Sequence, residues 1–540
     1  MSEKGNILYE DDVTSEWKDL SLGQLLLKQL TLHGTCVAQI NAHTGKEQTF
    51  EHILNTSRKL AIFFQKKGVK VNDTIAICSE NNLEFHIVIC AIFYVGATVC
   101  PLNPLYSERE FKHALAISKP KYLFISAIAF NNIKMIIKDL YWSPKILILT
   151  EHHNISTTWM NLSKAISNIS NSDMNMFRAI SVDINNHVAA ILCSSGTTGL
   201  PKGVMLTDKN FITVIKHVMD IYIQINEGKL TGLALLPFFH VYSFTILLVR
   251  LITGNTSIIF SHFDEELFLQ CIEKYRIENL ILVPPLMVFL AKHPLVDKYD
   301  LSSVKVIACG AAPLSEEIYE AVTKRLNVPV IKQGYGLTET TLSVLWSTGD
   351  KAKPGSFMLA PGMSAKIIPL GEFETDKTLG PNCRGELCFK GDLIMKGYCN
   401  DEESTRATID KDGWLHTGDV GYYDKERYFY IVDRVKELIK YKGYQVPPAE
   451  LEAILLTYPG VRDAAVIGIP EEIAGELPMA FIVKQDNSNV REEDIIQYVN
   501  ERVSNPKRLR GGIRFINSIP KTASGKILRR LLRDSLQSKL

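Results

Sequence analysis

The sequence predicts an α/β protein with a large N-terminal domain, a β-rich lobe and a small α+β C-terminal domain. Helical and strand patterns alternate from Thr49 to Thr341, and short strands separated by turn residues follow Gly355. Charge concentrates at Asp433 and Arg434, just before a new series of strands and helices. Alternating strands and helices are typical of parallel sheets covered by helices. We therefore predict domains at 1–432 and 433–540.

The first half of the N-terminal domain consists of predicted strand–helix pairs. The segment "TFEHILNTSRKLAIFFQKKG" predicts a helix ending at Gly68, and the strand "DTIAICS" and the helix "NLEFHIVICAIFYVG" follow. Ser107 and Glu110 form a capping box before a further helix, and the strands "KYLFIS" and "KILILT" come next. We interpret the Ser- and Asn-rich stretch 152–175 as a surface excursion before the sheet resumes at "HVAAILC". The apolar run 87–102 favours a buried helix and strand over a membrane span, because it contains a glycine and ends on prolines.

The second half of the N-terminal domain continues the alternation of strands and helices and then consists of short strands. Strand-to-helix patterns recur in "ENLILVPPLMVFLAK" and "VKVIACGAAPLSEEIYEAVTKRL", where Ser315 is a plausible helix N-cap. The segments "GMSAKIIPL" and "RGELCFKG" predict strands of the β-rich lobe. Beyond Arg434, the helices "PAELEAILL" and "EDIIQYVNERV" provide enough material for an independent small domain.

Composition and charge exclude several classes of function. The chain has 540 residues, 60 of them basic and 59 acidic, and the net charge of +1 provides no field for nucleic acid or an anionic membrane. The ten cysteines form no Cys-x-x-Cys pair and no zinc spacing, so we expect reduced core thiols. The polar N-terminus lacks the apolar region of a secretory signal, and we expect no transmembrane segment. A site for a small molecule is the remaining expectation.

The loop "SSGTTGLPKG" directly follows the strand "HVAAILC". It is not a Walker loop, because Leu200 and Pro201 separate Gly199 from the lysine and a glycine follows that lysine. Gly196 and Gly199 allow backbone N–H groups to converge on an anion, and hydroxyl groups and one ammonium add further donors. The loop could hold a polyphosphate, although such loops are often flexible connections. The side-chain donors are Ser194, Ser195, Thr197, Thr198 and Lys202.

Six further motifs follow in order: "LPFFHVYS", "CGAAPLSEE", "QGYGLTETT", "GWLHTGD", "IVDRVKELIKYKGYQVPPAELE" and "PKTASGKILRR". Together with the loop they resemble the adenylate-forming superfamily, most of all its insect branch of beetle luciferases and fatty acyl-CoA synthetases and the related plant coumarate–CoA ligases. The resemblance covers nearly the whole chain. It implies a large N-terminal domain of two βαβ-type subdomains plus a β-rich lobe, and a small mobile C-terminal domain.

The resemblance also implies a reaction in two steps. A carboxylic acid attacks the α-phosphorus of Mg²⁺·ATP to give an acyl-AMP, and the thiol of CoA then displaces AMP. Positive charge and N–H donors are the main means of stabilising the charge that develops. Among the loop residues, Thr197, Thr198 and Lys202 would be the principal contacts of the phosphates.

By the same resemblance, Tyr335 would lie against adenine, Thr338 would contact the α-phosphate and Glu339 would hold magnesium as an oxygen ligand. Asp419 would accept both ribose hydroxyls, assisted by Arg434. On the residues alone, Asp419 could equally be a turn residue. Small residues would let the backbone approach the nucleotide, and these are Gly310, Ala311, Ala312, Gly334 and Gly336.

Three side chains are implied as catalytic groups. His240 would orient the substrate carboxylate, although a lone histidine among aromatic residues is more often part of a core. Lys526 would bridge the carboxylate and the α-phosphate in the first step, and Lys440 would replace it in the second. A rotation of the small domain about Asp433 and Arg434 would exchange the two lysines. The segment implied to contact CoA consists of Gly443, Tyr444 and Gln445.

The acyl pocket distinguishes a ligase from a luciferase. Beetle luciferases usually carry two adjacent histidines where this chain has Phe239 and His240, an arginine near Val214 and a serine at Leu342. With Tyr242, these residues make the predicted pocket apolar, which favours a medium- or long-chain fatty acid at about 0.8 kcal/mol per buried methylene group. We therefore predict a fatty acyl-CoA ligase. The alternatives are a luciferin monooxygenase, or an enzyme with weak luminescence, and a non-catalytic or carrier-loading adenylation protein.

The last three residues form the tripeptide Ser538-Lys539-Leu540. At a free C-terminus this tripeptide is an address read by the peroxisomal import receptor. The preceding segment "ILRRLLRDSLQ" predicts an amphipathic helix that would fray at its end, which suits a receptor that needs an extended tail. We therefore expect a peroxisomal location.

Overall fold

The computed structural model describes residues 2–11, 17, 19–137, 140, 142, 144–149, 160–194, 200–223, 230–347, 355–371, 377–442, 444–485, 488–522 and 525–537. The predicted α/β class is confirmed, with a large N-terminal domain and a small C-terminal domain. Three of the predicted site elements lie outside the described residues, namely the loop residues 195–199, Gly443 and the C-terminal tripeptide, and so does the part 152–159 of the predicted surface excursion.

The first sheet of the large domain has a parallel centre, as expected for βαβ units. The helices Phe50–Lys66, Phe85–Tyr94, Glu108–Ser118 and Ala127–Ile136 belong to this part of the chain. The strands, in spatial order, are Gly397–Tyr398, Lys202–Thr207, Val188–Ser194, Thr98–Leu102, Thr74–Cys78, Tyr122–Ile125, Lys145–Ile148 and Met160–Asn161.

A second sheet adds further parallel pairs, and its strands in spatial order are Thr231–Ala234, Thr256–Ile259, Val37–Asn41 and Glu47–Thr49. The last of these strands pairs antiparallel to its neighbour. The helices of this part are Leu22–His33, Asp208–Ile223, Val241–Thr253 and Glu265–Lys274. Apolar side chains from these helices and from the first sheet belong to one continuous core, because the cluster of buried residues includes both.

A third sheet joins three parallel strands to the β-rich lobe, whose strands are antiparallel. The helices beside it are Pro284–Lys292, Glu316–Leu326 and Glu402–Arg406, with the 3₁₀ helices Pro294–Lys298 and Thr338–Thr340. In spatial order the strands are Ser2–Lys4, Ile7–Tyr9, Met363–Ile368, Gly385–Gly391, Leu415–Tyr423, Phe429–Arg434, Ser356–Leu359, Leu345–Trp346, Val330–Tyr335, Val306–Cys309 and Asn279–Leu282.

The C-terminal part has its own sheet, with strands Tyr444–Val446, Ile439–Tyr441, Gly475–Lys484, Val461–Glu471 and Ile513–Phe515. Its helices are Pro448–Thr457, Glu492–Asn500 and Arg529–Gln537, with the 3₁₀ helix Asn505–Lys507. Its buried residues form clusters separate from the main core. The strand Phe429–Arg434 still pairs with the large sheet, so the boundary at residue 433 stays a prediction.

The structure contains the local features that the sequence predicts. Ser107 and Glu110 form the capping box: the Ser107 N–H donates to Glu110 Oε2 at 2.8 Å, and the Glu110 N–H donates to Ser107 Oγ at 3.4 Å. The apolar run 87–102 is a buried helix followed by a strand. Within the described ranges, no helix is both long and apolar enough to cross a membrane.

Two expectations need correction. The stretch 160–175 lies at the surface as predicted, with only Leu162 and Ala165 buried, but it also contains a short strand and two helices that the sequence did not indicate, Leu162–Ile166 and Asn171–Met176. Asn161 and Ser170 act as the N-caps of these helices. The cysteines are all free, but Cys36 and Cys383 are exposed rather than in the core.

Candidate active site

A cavity open to solvent lies at the carboxyl ends of the parallel strands Val306–Cys309 and Val330–Tyr335. Ligands of α/β proteins commonly bind at this edge of a sheet. The cavity brings together side chains or backbone from four of the predicted motifs. The predicted residues that line it are His240, Tyr242, Gly310, Ala311, Gly334, Gly336, Thr338, Leu342 and Lys526.

The turn after the strand Val330–Tyr335 is tightly folded. A Cβ atom on Gly336 would lie 1.6 Å from the backbone oxygen of Leu342, so only glycine fits there. Thr341 and Leu342 have φ angles of 58° and 142°, which are strained for residues with side chains. Thr340 Oγ1 holds the turn by accepting the Leu337 N–H at 2.7 Å. This folding places Thr338 and Leu342 on the wall of one cavity.

His240 ends the loop before the helix Val241–Thr253 and caps it, because its Nδ1 accepts the Tyr242 N–H at 3.4 Å. Burial and the nearby charge of Lys526 lower the pKa of His240 to about 4. The imidazole is therefore neutral at pH 7. Since Nδ1 is an acceptor, the proton belongs on Nε2, which can donate a hydrogen bond to a substrate carboxylate.

Lys526 reaches the cavity from a loop of the C-terminal part. The Lys526 N–H donates to Thr522 Oγ1 at 3.1 Å, and its carbonyl accepts the Thr522 N–H at 2.8 Å. Gly525 has φ +84°, and a Cβ there would lie 3.0 Å from the ring of Pro285. The loop therefore packs closely against the helix Pro284–Lys292. Burial and Arg434 lower the pKa of Lys526 to about 8, although Glu339 and Asp419 oppose this shift.

The lowered pKa of Lys526 predicts how the first half-reaction depends on pH. The ammonium group is charged below about pH 8 and neutral above it, so kcat/KM for acyl-AMP formation should fall as the pH rises through about 8. His240 stays neutral over this range because its pKa is lowered to about 4. Pyrophosphate release without CoA, from about pH 6 to about pH 10, measures the profile.

The matched control for this profile is Lys526→Arg. A guanidinium group stays charged at every pH of the titration, so any remaining activity should lose the alkaline decline. A decline of unchanged position in this variant would assign the titration to another group.

Asp419 is buried and linked to two other predicted nucleotide contacts. The hydroxyl of Tyr335 donates to Asp419 Oδ2 at 2.6 Å, and Arg434 Nε lies 3.3 Å from Oδ1 in an ion pair. The register of strands Leu415–Tyr423 and Phe429–Arg434 sets Asp419 opposite Arg434. Burial raises the pKa of Asp419, while Arg434 and Tyr335 oppose the shift.

Glu339 and Lys202 both contact Tyr398, a residue that the motifs did not indicate. The Tyr398 hydroxyl donates to Glu339 Oε1 at 2.9 Å, and Lys202 Nζ lies 4.7 Å from the centre of the Tyr398 ring. Lys202 Nζ also donates to Ser404 Oγ at 2.8 Å. Tyr398 and Ser404 are distant in sequence from both charged residues. The short strand Gly397–Tyr398 carries no motif that would have predicted these contacts.

The donor set near Glu339 fits a hard cation that is shared with a nucleotide. Among the described residues, no group of three or more His, Cys, Asp or Glu side chains forms a metal site by itself. Mg²⁺ is commonly held by one or two carboxylates together with substrate phosphates. Glu339 is half-buried and provides one such carboxylate.

Other predicted residues lie away from the cavity. Lys440, Tyr444 and Gln445 are exposed on the first two strands of the C-terminal sheet. Ser194 is buried at the end of its strand, and Ala312 is half-buried and absent from the described cavity wall.

Two of the predicted acyl-pocket residues are also outside the described cavity wall. Phe239 is half-buried, and Val214 is fully buried in the main core. The pocket role of Val214 is not supported, because the helix Asp208–Ile223 directs this side chain into the core.

Comparison with known proteins identifies the chain's relatives. The profile of the AMP-binding enzyme family matches residues 28–399, and that of the AMP-binding enzyme C-terminal domain matches residues 450–526. A luciferin 4-monooxygenase of Photuris pensylvanica is 43% identical over 544 residues, covering 99% of each chain. The 4-coumarate–CoA ligase 2 of Petroselinum crispum is 37% identical over 532 residues, covering 96% of this chain and 95% of the ligase.

A solved structure agrees with these sequence matches. The red-emitting luciferase of Phrixothrix hirtus is 38% identical, and the match covers 99% of each chain with a TM-score of 0.73. Sequence similarity to these relatives therefore extends over nearly the full chain, and the fold is shared with the Phrixothrix hirtus luciferase over the same length. The chain belongs to the AMP-binding enzyme family, the adenylate-forming superfamily that includes acid–CoA ligases and luciferases.

Proposed function

We propose that this chain activates a medium- or long-chain fatty acid with ATP and transfers the acyl group to CoA. The supporting observation is the lining of the cavity, which includes the largely apolar side chains of Tyr242, Ile246 and Leu342 together with the polar groups of His240 and Lys526. Each methylene group buried there stabilises the complex by about 0.8 kcal/mol, whereas a polar heterocycle would lose hydrogen-bond partners. The relatives include both luciferases and CoA ligases, so the choice of a fatty acid rests on the cavity.

In the first half-reaction, a carboxylate oxygen forms a bond to the α-phosphorus of ATP, and the bond from that phosphorus to pyrophosphate breaks. His240 donates a hydrogen bond from Nε2 to the carboxylate, and Lys526 adds positive charge between two anionic reactants. The hydroxyl of Thr338 contacts the α-phosphate. When bound, Mg²⁺ neutralises phosphate charge, and Glu339 would hold it.

In the second half-reaction, the sulfur of CoA bonds to the acyl carbon, the bond from that carbon to AMP breaks, and AMP leaves. Lys440, Tyr444 and Gln445 are exposed and outside the cavity, so this step needs a different position of the C-terminal part. We propose a rotation about Asp433, whose Oδ2 accepts the Ala449 N–H at 3.1 Å.

A panel of carboxylic acids tests the substrate class. The purified enzyme is incubated with ATP, Mg²⁺, CoA and one acid at a time, and both AMP release and photons are recorded. CoA-dependent AMP release with medium- or long-chain fatty acids supports the proposal. Turnover restricted to luciferin, with light, would identify a luciferin monooxygenase instead. AMP release with none of the acids would favour a non-catalytic or carrier-loading protein.

Leu342→Ser is expected to lower kcat/KM for medium- and long-chain acids and to raise luminescence with added luciferin. Leu342 lines the cavity, so the change removes apolar surface at about 0.8 kcal/mol per methylene group and adds a hydroxyl group. Chain-length profiles and light output measure the effect, and Leu342→Met is the control that keeps the wall apolar. An unchanged profile with no gain in light would remove Leu342 from the acyl pocket. Val214→Arg is unsuitable as a partner change, because it would bury a guanidinium group in the core.

The peroxisomal location is a further part of the proposal, based on the tripeptide Ser538-Lys539-Leu540. A fluorescent protein fused to the N-terminus is expected to enter peroxisomes with the tripeptide intact and to stay in the cytosol without it. Import that persists after deletion, or a cytosolic fusion with the tripeptide intact, would show that the address is not used.

A further inference from the structure

Tyr398 contacts two groups of opposite charge in the candidate site. Its hydroxyl donates to Glu339 Oε1 at 2.9 Å, and its ring faces Lys202 Nζ, which lies 4.7 Å from the ring centre. Ser404 Oγ accepts a hydrogen bond from the same ammonium group at 2.8 Å. One side chain therefore contacts both the predicted metal ligand and the predicted phosphate lysine.

The backbone around Tyr398 holds the ring in a fixed place. Tyr398 and Gly397 pair antiparallel to Val204 and Met205, two and three residues after Lys202. The Tyr398 N–H donates to Thr405 Oγ1 at 2.9 Å. The side chain is buried, and burial raises the pKa of its hydroxyl, with Glu339 adding to the shift. The phenol is therefore a neutral hydrogen-bond donor on a strand whose backbone is held by these contacts.

The surroundings of Glu339 and Ser404 add to this rigidity. The Glu339 backbone oxygen accepts the Met395 N–H at 2.9 Å, which ties the carboxylate to the segment that leads into Tyr398. The Ser404 N–H donates to Asp401 Oδ1 at 2.9 Å, which caps the helix Glu402–Arg406. Separate backbone contacts therefore position Glu339, Tyr398 and Ser404, and Ser404 is the hydrogen-bond partner of Lys202.

The two contacts of Tyr398 matter because Glu339 and Lys202 carry opposite charges. A carboxylate and an ammonium group that come into contact in a partly desolvated site attract strongly and neutralise each other. Such a pair would withdraw Glu339 from a cation and Lys202 from a phosphate. In the structure each group contacts Tyr398 instead, Glu339 through the hydroxyl and Lys202 through the ring face, and these contacts satisfy the two groups at modest energy.

We propose that Tyr398 is a positioning residue for nucleotide binding: its hydroxyl orients Glu339 toward the cation, and its ring keeps Lys202 available for phosphate. The role rests on the adenylation step that the family shares, and it is independent of which acid is activated. Its test therefore measures binding of ATP without any acid or CoA.

Isothermal titration calorimetry of the full chain with ATP, with and without Mg²⁺, separates the two roles. Tyr398→Phe keeps the ring and removes the hydroxyl, so the affinity for Mg²⁺·ATP should fall roughly tenfold while the affinity for metal-free ATP changes little. Tyr398→Leu removes both functions and should weaken binding of both forms. Adding Glu339→Gln to Tyr398→Leu should restore metal-free ATP binding, because Lys202 loses its new partner.

The control variant is Tyr430→Phe, which removes a hydroxyl that donates to Asp424 Oδ2 at 3.2 Å in the β-rich lobe. It should leave both affinities unchanged. Thermal unfolding of each variant identifies losses of stability, and Tyr398→Phe provides the decisive measurement if Tyr398→Leu fails to fold.

Three results would overturn the proposal. Tyr398→Phe could bind Mg²⁺·ATP as tightly as the unchanged enzyme, or it could weaken both forms of ATP equally. The third result is a folded Tyr398→Leu, Glu339→Gln double variant that binds metal-free ATP no better than Tyr398→Leu alone. An incorrect choice of fatty acid as substrate would change none of these measurements, so the two proposals fail separately.

Discussion

Lys526→Ala is expected to reduce acyl-AMP formation by at least about a hundredfold while leaving thioester formation from supplied acyl-AMP largely intact. Lys526 lines the cavity together with His240 and Thr338, and the proposed mechanism places the developing charge of the α-phosphate beside these residues. Its pKa, lowered to about 8 by burial, shows that its charge is poorly solvated and therefore available to an anionic partner. Acid-dependent pyrophosphate release measures the first step, and synthetic acyl-AMP with CoA measures the second.

The control for this prediction is Lys521→Ala, which removes a lysine from the same segment. Lys521 Nζ forms an ion pair with Asp463 at 2.6 Å and is absent from the described cavity wall. Both half-reactions should continue in that variant. Equal losses of both half-reactions in Lys526→Ala would contradict the assignment of this lysine to the first step alone.

Elements with local signals could be predicted from the sequence. The capping box of Ser107 and Glu110 and the helix–strand unit at 87–102 depend on residues close together in the chain, so pattern and propensity were sufficient. The short helices within 160–175 were missed because Ser and Asn serve both loops and helix N-caps. Composition alone does not distinguish these two uses.

The candidate site was predictable where a motif carries its own backbone geometry. Gly336 and Leu342 meet within one tight turn, and the motif "QGYGLTETT" contains Gly336 and ends directly before Leu342. Tyr398 was missed because it reaches Glu339 and Lys202 only through the pairing of strands that are far apart in the chain. For Val214, the resemblance gave a position along the chain, whereas burial depends on which side of the helix faces the core.

Lys440→Ala is expected to show the opposite division from Lys526→Ala, with normal acyl-AMP formation and a loss of thioester formation of about a hundredfold. Lys440 is exposed on the strand Ile439–Tyr441, and its backbone N–H donates to Glu476 Oε2 at 2.8 Å, so truncation of the side chain should not disturb the fold. In the described arrangement Lys526 lines the cavity and Lys440 does not. The proposed rotation of the C-terminal part would bring Lys440 to the cavity in place of Lys526.

Single-turnover assays of the two half-reactions test this division, with the exposed Lys436→Ala as the control. Acyl-AMP should accumulate in Lys440→Ala when CoA is present, because the first step continues while the second is slow. The Lys440→Ala, Lys526→Ala double variant should then lose both steps, since neither arrangement retains its lysine. Normal CoA-dependent turnover in Lys440→Ala would remove this residue from the mechanism, and with it the reason for a second arrangement of the C-terminal part.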